Sequence, residues 1–403
     1  MKIKISHFKS LLNVSFDPGV VNVFIGSNGS GKSAILEALG VLSAAISGNV
    51  NDSVLYNKGV RLGTPSLYKS SFKDQKRLSL NIEFDIDWEN KNDHWNYKVN
   101  LSNPIEKPNP NWNYYTEKLE KNNKKILGRS RASKFQLNNF PKMELDSSKG
   151  LLSFAQGIES DETDFASDLY DSIKDYAIYT PNTTTLRGVQ IDPFQKEPLG
   201  LLGGQLSKVI EDLMNLDEEL FGTMDLDDLL ELISWTNEVS TGKVSKGIIS
   251  PNVPTTPKTI KFTDRFMREG RNELTAYDAS EGSLYVLFLL SLVMHESSPR
   301  MLAVDNFDQA LNPRLARKVT KFFCDEAIKH NRRCFLTTHN PLVLDGLDLN
   351  NDEIRLFTVD RNYYGHTVIN RVEINSNLRE LGSKGYSLSE LWIEGRLGGI
   401  PNI

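Results

Sequence analysis

Cysteine is scarce in this chain: only Cys324 and Cys334 occur in 403 residues. A pair at that spacing makes neither a zinc site nor a disulfide framework, which fits a reducing, cytoplasmic setting. Long apolar runs are also missing. None approaches the ~20 residues of a membrane-spanning helix, so no membrane partner is expected. The opening Met1-Lys2-Ile3-Lys4-Ile5 alternates as a strand and lacks the shape of a signal peptide. No heptad pattern is sustained, which argues against a long coiled-coil arm, and no internal repeat is visible. Neither sign of charge dominates: 47 Lys and Arg stand against 52 Asp and Glu, a net −5. Any nucleic-acid contact must therefore come from a local patch. With 39% hydrophobic and 25% charged residues, the chain reads as globular and large enough for two lobes.

Present instead is a complete phosphate loop, Gly26-Ser27-Asn28-Gly29-Ser30-Gly31-Lys32-Ser33. It sits between an apolar strand, Val20–Ile25, and a helical run opening Ala34-Ile35-Leu36, the strand–loop–helix context the motif requires. The glycines let backbone N–H groups converge on phosphate oxygens. Lys32 is expected to reach the β- and γ-phosphates and the Ser33 hydroxyl to ligate Mg²⁺. The helix N-terminus adds a favourable dipole. These residues predict ATP and Mg²⁺ as cofactors.

Further along, Met301-Leu302-Ala303-Val304-Asp305 is an apolar strand ending in an acid, the Walker B pattern that supplies a carboxylate for Mg²⁺. Ser280-Glu281-Gly282 opens an apolar helix shortly before it, where Ser280 and Gly282 can bind a phosphate or simply cap the helix. Phe335–His339 is a strand ending in a histidine, a residue that alone is more often structural but that at a strand terminus after Walker B could sense a γ-phosphate.

Two stretches between these motifs differ in character. Residues 104–135 read as a basic loop carrying Lys118, Lys121, Lys124, Lys125, Arg129, Arg131 and Lys134, with Trp112, Tyr114 and Tyr115 beside them. Such a segment suits a nucleic-acid backbone with nearby stacking, or is a solvated loop. Residues 140–240 are acidic and read as helical, best at Leu201–Leu216 and Asp225–Trp235.

Taken together the motifs resemble the ABC-type ATPase heads of the SMC class, and within them the bacterial AAA ATPases akin to the OLD and Septu phage-defence proteins. The resemblance rests on Ile5–Leu11, Gly26–Ser33 with Asn28, Ser280–Gly282, Asp305, Ala310–Pro313 and Thr338–Pro341, in the correct order. The segment Tyr179-Thr180-Pro181 to Leu186-Arg187-Gly188 adds to it less specifically. It implies an α/β fold: a mixed sheet with a phosphate-loop core, built from 1–100 and 255–403, and an inserted, mainly helical lobe at 101–254. It also implies a homodimer in which the phosphate loop of one copy, with Ala34, shares ATP with Ser280 and Gly282 of the other. ATP then closes the dimer.

The chain departs from the family pattern in three places. The residue after the Walker B aspartate is normally glutamate, and here it is Asn306. An amide positions water but takes no proton, and general-base help is worth ~100- to 10,000-fold, so slow turnover is expected. Gln75 is the one glutamine in range to serve as the family's Mg²⁺-contacting glutamine. Residues 340–403 show no cluster of acids suited to the two metals of a TOPRIM nuclease, so nuclease action is assigned to a separate effector. Leu391, Trp392 and Leu397 could dock such a partner or cover the head's own core. The reading that follows is a regulatory ATPase controlling an effector in antiphage defence. The alternative is an ATP-cycling DNA-repair or DNA-translocating ATPase.

Overall fold

The computed structural model describes the chain except residues 77–78, 91–92, 130–133, 138–142, 145, 157–163, 195, 218, 244–247, 251, 254–257 and 400–403. Strands β1 (Lys2–Phe8), β2 (Leu11–Phe16) and β3 (Val21–Ile25) come first, followed by helix α1 (Lys32–Ile46). Strands β4 (Asn81–Asn90), β5 (Asp93–Ser102), β6 (Asn113–Lys121), β7 (Lys124–Arg129), β8 (Lys134–Leu137) and β9 (Met143–Glu144) form a meander. It extends the β1–β2 hairpin into an eight-stranded sheet ordered β2-β1-β4-β5-β6-β7-β8-β9. Strict alternation explains it: in β5 every second residue, from Trp95 to Leu101, is buried.

The second sheet carries the phosphate loop. After β10 (Ile178–Tyr179), a hairpin of β11 (Leu220–Phe221) and β12 (Met224–Asp225), and a three-stranded sheet of β13 (Thr236–Gly242), β14 (Thr259–Asp264) and β15 (Glu273–Thr275), come β16 (Met301–Val304), β17 (Arg333–Thr337), β18 (Ile354–Arg361) and β19 (Thr367–Val372). Six strands align as β10-β16-β17-β3-β18-β19, parallel except at the β18–β19 edge. The inner strands β3 and β16 are buried at every residue, as a sheet covered on both faces requires. On one face α1 packs between this sheet and the meander, with the rings of Phe16 and Phe24 in contact with each other and with those of Phe335 and Phe357. On the other face lie the helices Leu206–Met214, Glu281–Met294 and Pro313–Lys329.

Several expectations are corrected here. The basic stretch 104–135 is not a loop, because β6, β7 and β8 occupy most of it. Its turn, Asn122-Asn123, has φ of 49° and 64°, the left-handed pair that a two-residue hairpin needs and asparagine tolerates. Arg129, expected to contact nucleic acid, is buried against Glu117, whose side chain is also fully buried. Lys118 pairs with Glu120, and Lys121 with Asp93. Arg131 lies outside the described residues. Nor does 101–254 separate from the head, since β10 comes from inside that span and pairs with β16 in the core sheet. The helices expected at 201–216 and 225–235 are present, shortened to Leu206–Met214 and Leu226–Leu232. Near the C-terminus, Leu391 and Trp392 are buried on the chain's own core. Ser389 holds them there by bonding the Asp345 carboxylate through its N–H at 2.9 Å and its hydroxyl at 2.7 Å.

Candidate nucleotide site

All of the sheet's loops that matter leave the C-terminal edges of the parallel strands, where ligands bind in open α/β sheets. From β3 the chain turns through Gly26–Gly31 into α1. Two of these glycines are required by neighbours as well as by φ. A Cβ on Gly26 would stand 2.1 Å from the Val359 carbonyl oxygen, and one on Gly31 would stand 2.3 Å from Thr367 Oγ1. The β18–β19 hairpin therefore braces the loop directly. Thr367 Oγ1 donates to the Ser30 carbonyl (2.7 Å), and Arg361 Nε donates to the Gly29 carbonyl (2.9 Å). The Ser30 hydroxyl is buried and has no partner among the described residues.

Lys32 folds back on its own loop, donating to the carbonyls of Gly26 (2.7 Å) and Ser27 (3.0 Å). Burial lowers its pKa from 10.5 to about 8, against the opposing pull of Asp305 and Asp308. Ser33 Oγ donates to Asp305 Oδ2 at 2.9 Å, and Thr337 Oγ1 donates to Asp305 Oδ1 at 2.5 Å. One carboxylate thus ties together the ends of α1, β16 and β17. Among the described residues no three His, Cys, Asp or Glu gather into a metal cage. A hydroxyl beside a single carboxylate is instead the donor set for a hard cation that takes its remaining ligands from phosphate and water.

Asn306 follows Asp305 in the left-handed conformation, φ 58°, exposed to the cleft. Its N–H donates to Thr337 Oγ1 (2.9 Å), and its carbonyl accepts from the Tyr285 hydroxyl (3.1 Å). Asp308 is already engaged, accepting from Thr338 Oγ1 (2.7 Å) and the His339 N–H (3.3 Å). The His339 pKa lies below the ordinary imidazole value, chiefly through burial and then through the Lys32 charge.

These side chains line one cleft of about 350 Å³ that includes Asn28, Gly29, Gly31, Lys32, Ser33, Ala34, Asp305, Asn306 and His339. Motif reading missed the role of four further lining residues: Lys9, Ser10, Arg61 and Arg361. The cleft presents four cations to one carboxylate, a potential suited to a polyphosphate. Glu37, buried on α1, orients two of the cations by accepting from Lys9 Nζ (2.5 Å) and Arg61 Nε (2.6 Å). Lys9 is held at φ 47°, a conformation that costs energy and that neighbours must enforce. Its presence in Ile5–Leu11 was the one sequence cue, whereas nothing local marks Arg61 or Arg361.

Gln75, expected near the metal, does not line the cleft. Its amide serves its own turn, accepting from the Phe72 N–H at 2.9 Å and donating to Ser79 Oγ at 3.4 Å. Ser280 and Gly282 are also outside it, at the N-terminus of the helix Glu281–Met294, with Ser280 exposed. A Cβ on Gly282 would stand 3.0 Å from the Ala310 carbonyl oxygen, so this motif abuts the Ala310–Pro313 turn. The Glu281 carboxylate accepts from Thr183 Oγ1 of its own chain.

A family model described as "AAA domain, putative AbiEii toxin, Type IV TA system" matches residues 21–345. The chain belongs to this AAA family. No curated protein matches it. Among solved structures, this AAA protein aligns with an SMC head bound to the C-terminal winged-helix domain of ScpA. That match has a TM-score of 0.50 at 12% identity and covers 94% of this chain and 98% of the other. An Smc head with an extended coiled coil, bound to the C-terminal domain of ScpA from Pyrococcus furiosus, gives 0.49 at 11% identity, covering 96% and 99%. The SMC head domain from Thermotoga maritima gives 0.43 at 13%, covering 93% and 98%. The AAA protein thus has the mixed α/β fold of an SMC-type ATPase head.

Proposed function

We propose that this AAA protein is an ATP-driven switch: it binds ATP with Mg²⁺, closes as a dimer around it, hydrolyses it slowly and thereby controls a separate effector. The observation that carries the reading is Asn306. It stands in the cleft beside an intact Lys32–Ser33–Asp305 set, where the family pattern has a proton-accepting glutamate. The side chains for phosphate and metal are present, while an amide stands where a proton-accepting carboxylate would activate water.

On this reading Lys32 leaves the carbonyls of Gly26 and Ser27 for the β- and γ-phosphates. The backbone N–H groups of Gly26–Ser33 and Ala34 cradle them. Ser33 and Asp305 hold Mg²⁺, which screens phosphate charge when bound. His339 offers a hydrogen bond to the γ-phosphate side. Ser280 and Gly282 of a second copy complete the site, which suits their place outside their own chain's cleft and the exposure of Ser280. The OLD and Septu resemblance suggests that the effector is a nuclease acting in antiphage defence. The SMC head aligned at a TM-score of 0.50 is bound to a domain of ScpA, which supports a protein partner for this head as well. Two free, buried cysteines suit a cytoplasmic protein. Among the described residues no helix is long and apolar enough to cross a membrane.

The test is steady-state ATP turnover of the purified protein, measured beside its mass with and without ATP. Dimer closure with negligible turnover supports the switch. Brisk turnover means another residue replaces the missing acid, and an ATP-cycling DNA motor then explains the chain better.

A further inference from the structure

A second cavity, of about 370 Å³, adjoins the nucleotide cleft and shares Ser33, Arg61 and Asp305 with it. Its chemistry is different. Leu36, Val60, Ile178 and Leu201 line it, each at most 4% exposed. Phe194 and Tyr56 close one side with ring centroids 4.4 Å apart, and Tyr56 is 41% exposed, so the cavity opens to solvent there. Arg61 stands at the rim with its side chain 73% exposed, fixed at Nε by Glu37. An apolar pocket of this size with a few placed polar groups is the usual form of a small-molecule site.

We propose that this cavity binds a planar aromatic ligand carrying one anionic group, and that its occupancy is coupled to the nucleotide site. Volume and apolar walls select the aromatic body. The free N–H groups of Arg61 select the anion, since a guanidinium recognises carboxylate or sulfonate oxygens. Coupling follows from position: the ligand lies against Ser33 and Asp305, whose hydrogen bond must rearrange when both turn toward a metal. Any coupling is reciprocal, so ATP and the ligand change each other's affinity by the same factor. The coupling rests on the nucleotide reading, whereas the cavity stands without it.

The probe is 8-anilinonaphthalene-1-sulfonate, titrated by fluorescence into the full chain. Thr180 is an exposed lining residue, so Thr180→Trp plugs the mouth without touching the core. Val60→Phe fills the cavity from within. Saturable one-to-one binding is expected, weakened by about tenfold or more in either variant. Binding should persist in Lys32→Ala, and Mg·ATP should shift the dye's Kd while leaving its stoichiometry at one. No saturable binding, or binding as tight as wild type in both plugged variants, overturns the site. Full displacement of the dye by Mg·ATP overturns its separateness from the nucleotide cleft. An unchanged Kd under saturating Mg·ATP overturns the coupling. Failure of the nucleotide reading looks different: the fluorescent analogue mant-ATP would bind wild type and Lys32→Ala alike, with the plugged variants still losing the dye.

Discussion

Lys32 and Asn306 carry the sharpest predictions at the scale of single residues. Replacing Lys32 by Ala removes charged hydrogen bonds to phosphate, and ATP affinity is expected to fall about 10- to 100-fold, from about 1.5–3 kcal/mol. Equal affinity in a calorimetric titration would remove the phosphate-loop assignment. The same residue sets a pH dependence. Its folded pKa is about 8 against an ordinary 10.5. Between those values the unfolded chain keeps a proton that the folded chain has lost. Stability of the free protein therefore rises with pH across that window. Binding phosphate restores the charge, so ATP binding takes up a proton above about pH 8 and weakens there, by at most about tenfold per unit. A flat affinity profile from pH 7 to 10 would contradict it. Asn306→Glu should raise phosphate release by about 100-fold or more if the side chain lies beside the water. The left-handed backbone that asparagine accepts makes the same change cost about 1 kcal/mol of stability.

Among the elements, the antiparallel meander depends on one saturated carboxylate. Glu117 on β6 accepts from Tyr97 on β5 (3.0 Å), Arg129 on β7 (3.2 Å) and the N–H groups of Leu151 (2.6 Å) and Leu152 (2.9 Å). Removing it strands a buried guanidinium, so Glu117→Ala should destabilise by about 3–5 kcal/mol in a denaturant titration. A loss below 1 kcal/mol would mean that water reaches Arg129. The element also shows why the basic patch misled. Counting cations along residues 118–134 treats them as one surface, yet the pleat sends alternate side chains to opposite faces and gives several a carboxylate. Lys124 and Lys125, at the start of β7 and exposed, are the cations from which salt-sensitive nucleic-acid binding would be lost on neutralisation.

For the whole molecule, the proposed arrangement involves two copies. Ser280 is exposed and lies outside its own chain's cleft, so a bulky charge there leaves single-copy binding intact. Ser280→Arg is expected to abolish the ATP-dependent rise in mass while nucleotide affinity at low protein concentration changes less than about threefold. If dimers still form with ATP, the copies meet by another face.

The sequence by itself determined the phosphate loop, the Asp305 strand end, Asn306 and His339. Each is written in a contiguous stretch whose local backbone demands particular residues. The strand–loop–helix passage needs its glycines, and an all-apolar strand ends at the sheet edge where a polar residue meets solvent. Tertiary structure alone decided that Arg61 and Arg361 would join them, that Glu37 would orient Lys9, and that Gln75 would stay away. It also decided that Arg129 would be buried and that β10 would enter the core sheet. The physical reason is the parallel sheet. Its neighbours β16, β17, β3 and β18 come from distant parts of the chain, so the side chains at their ends meet only after long crossovers have closed.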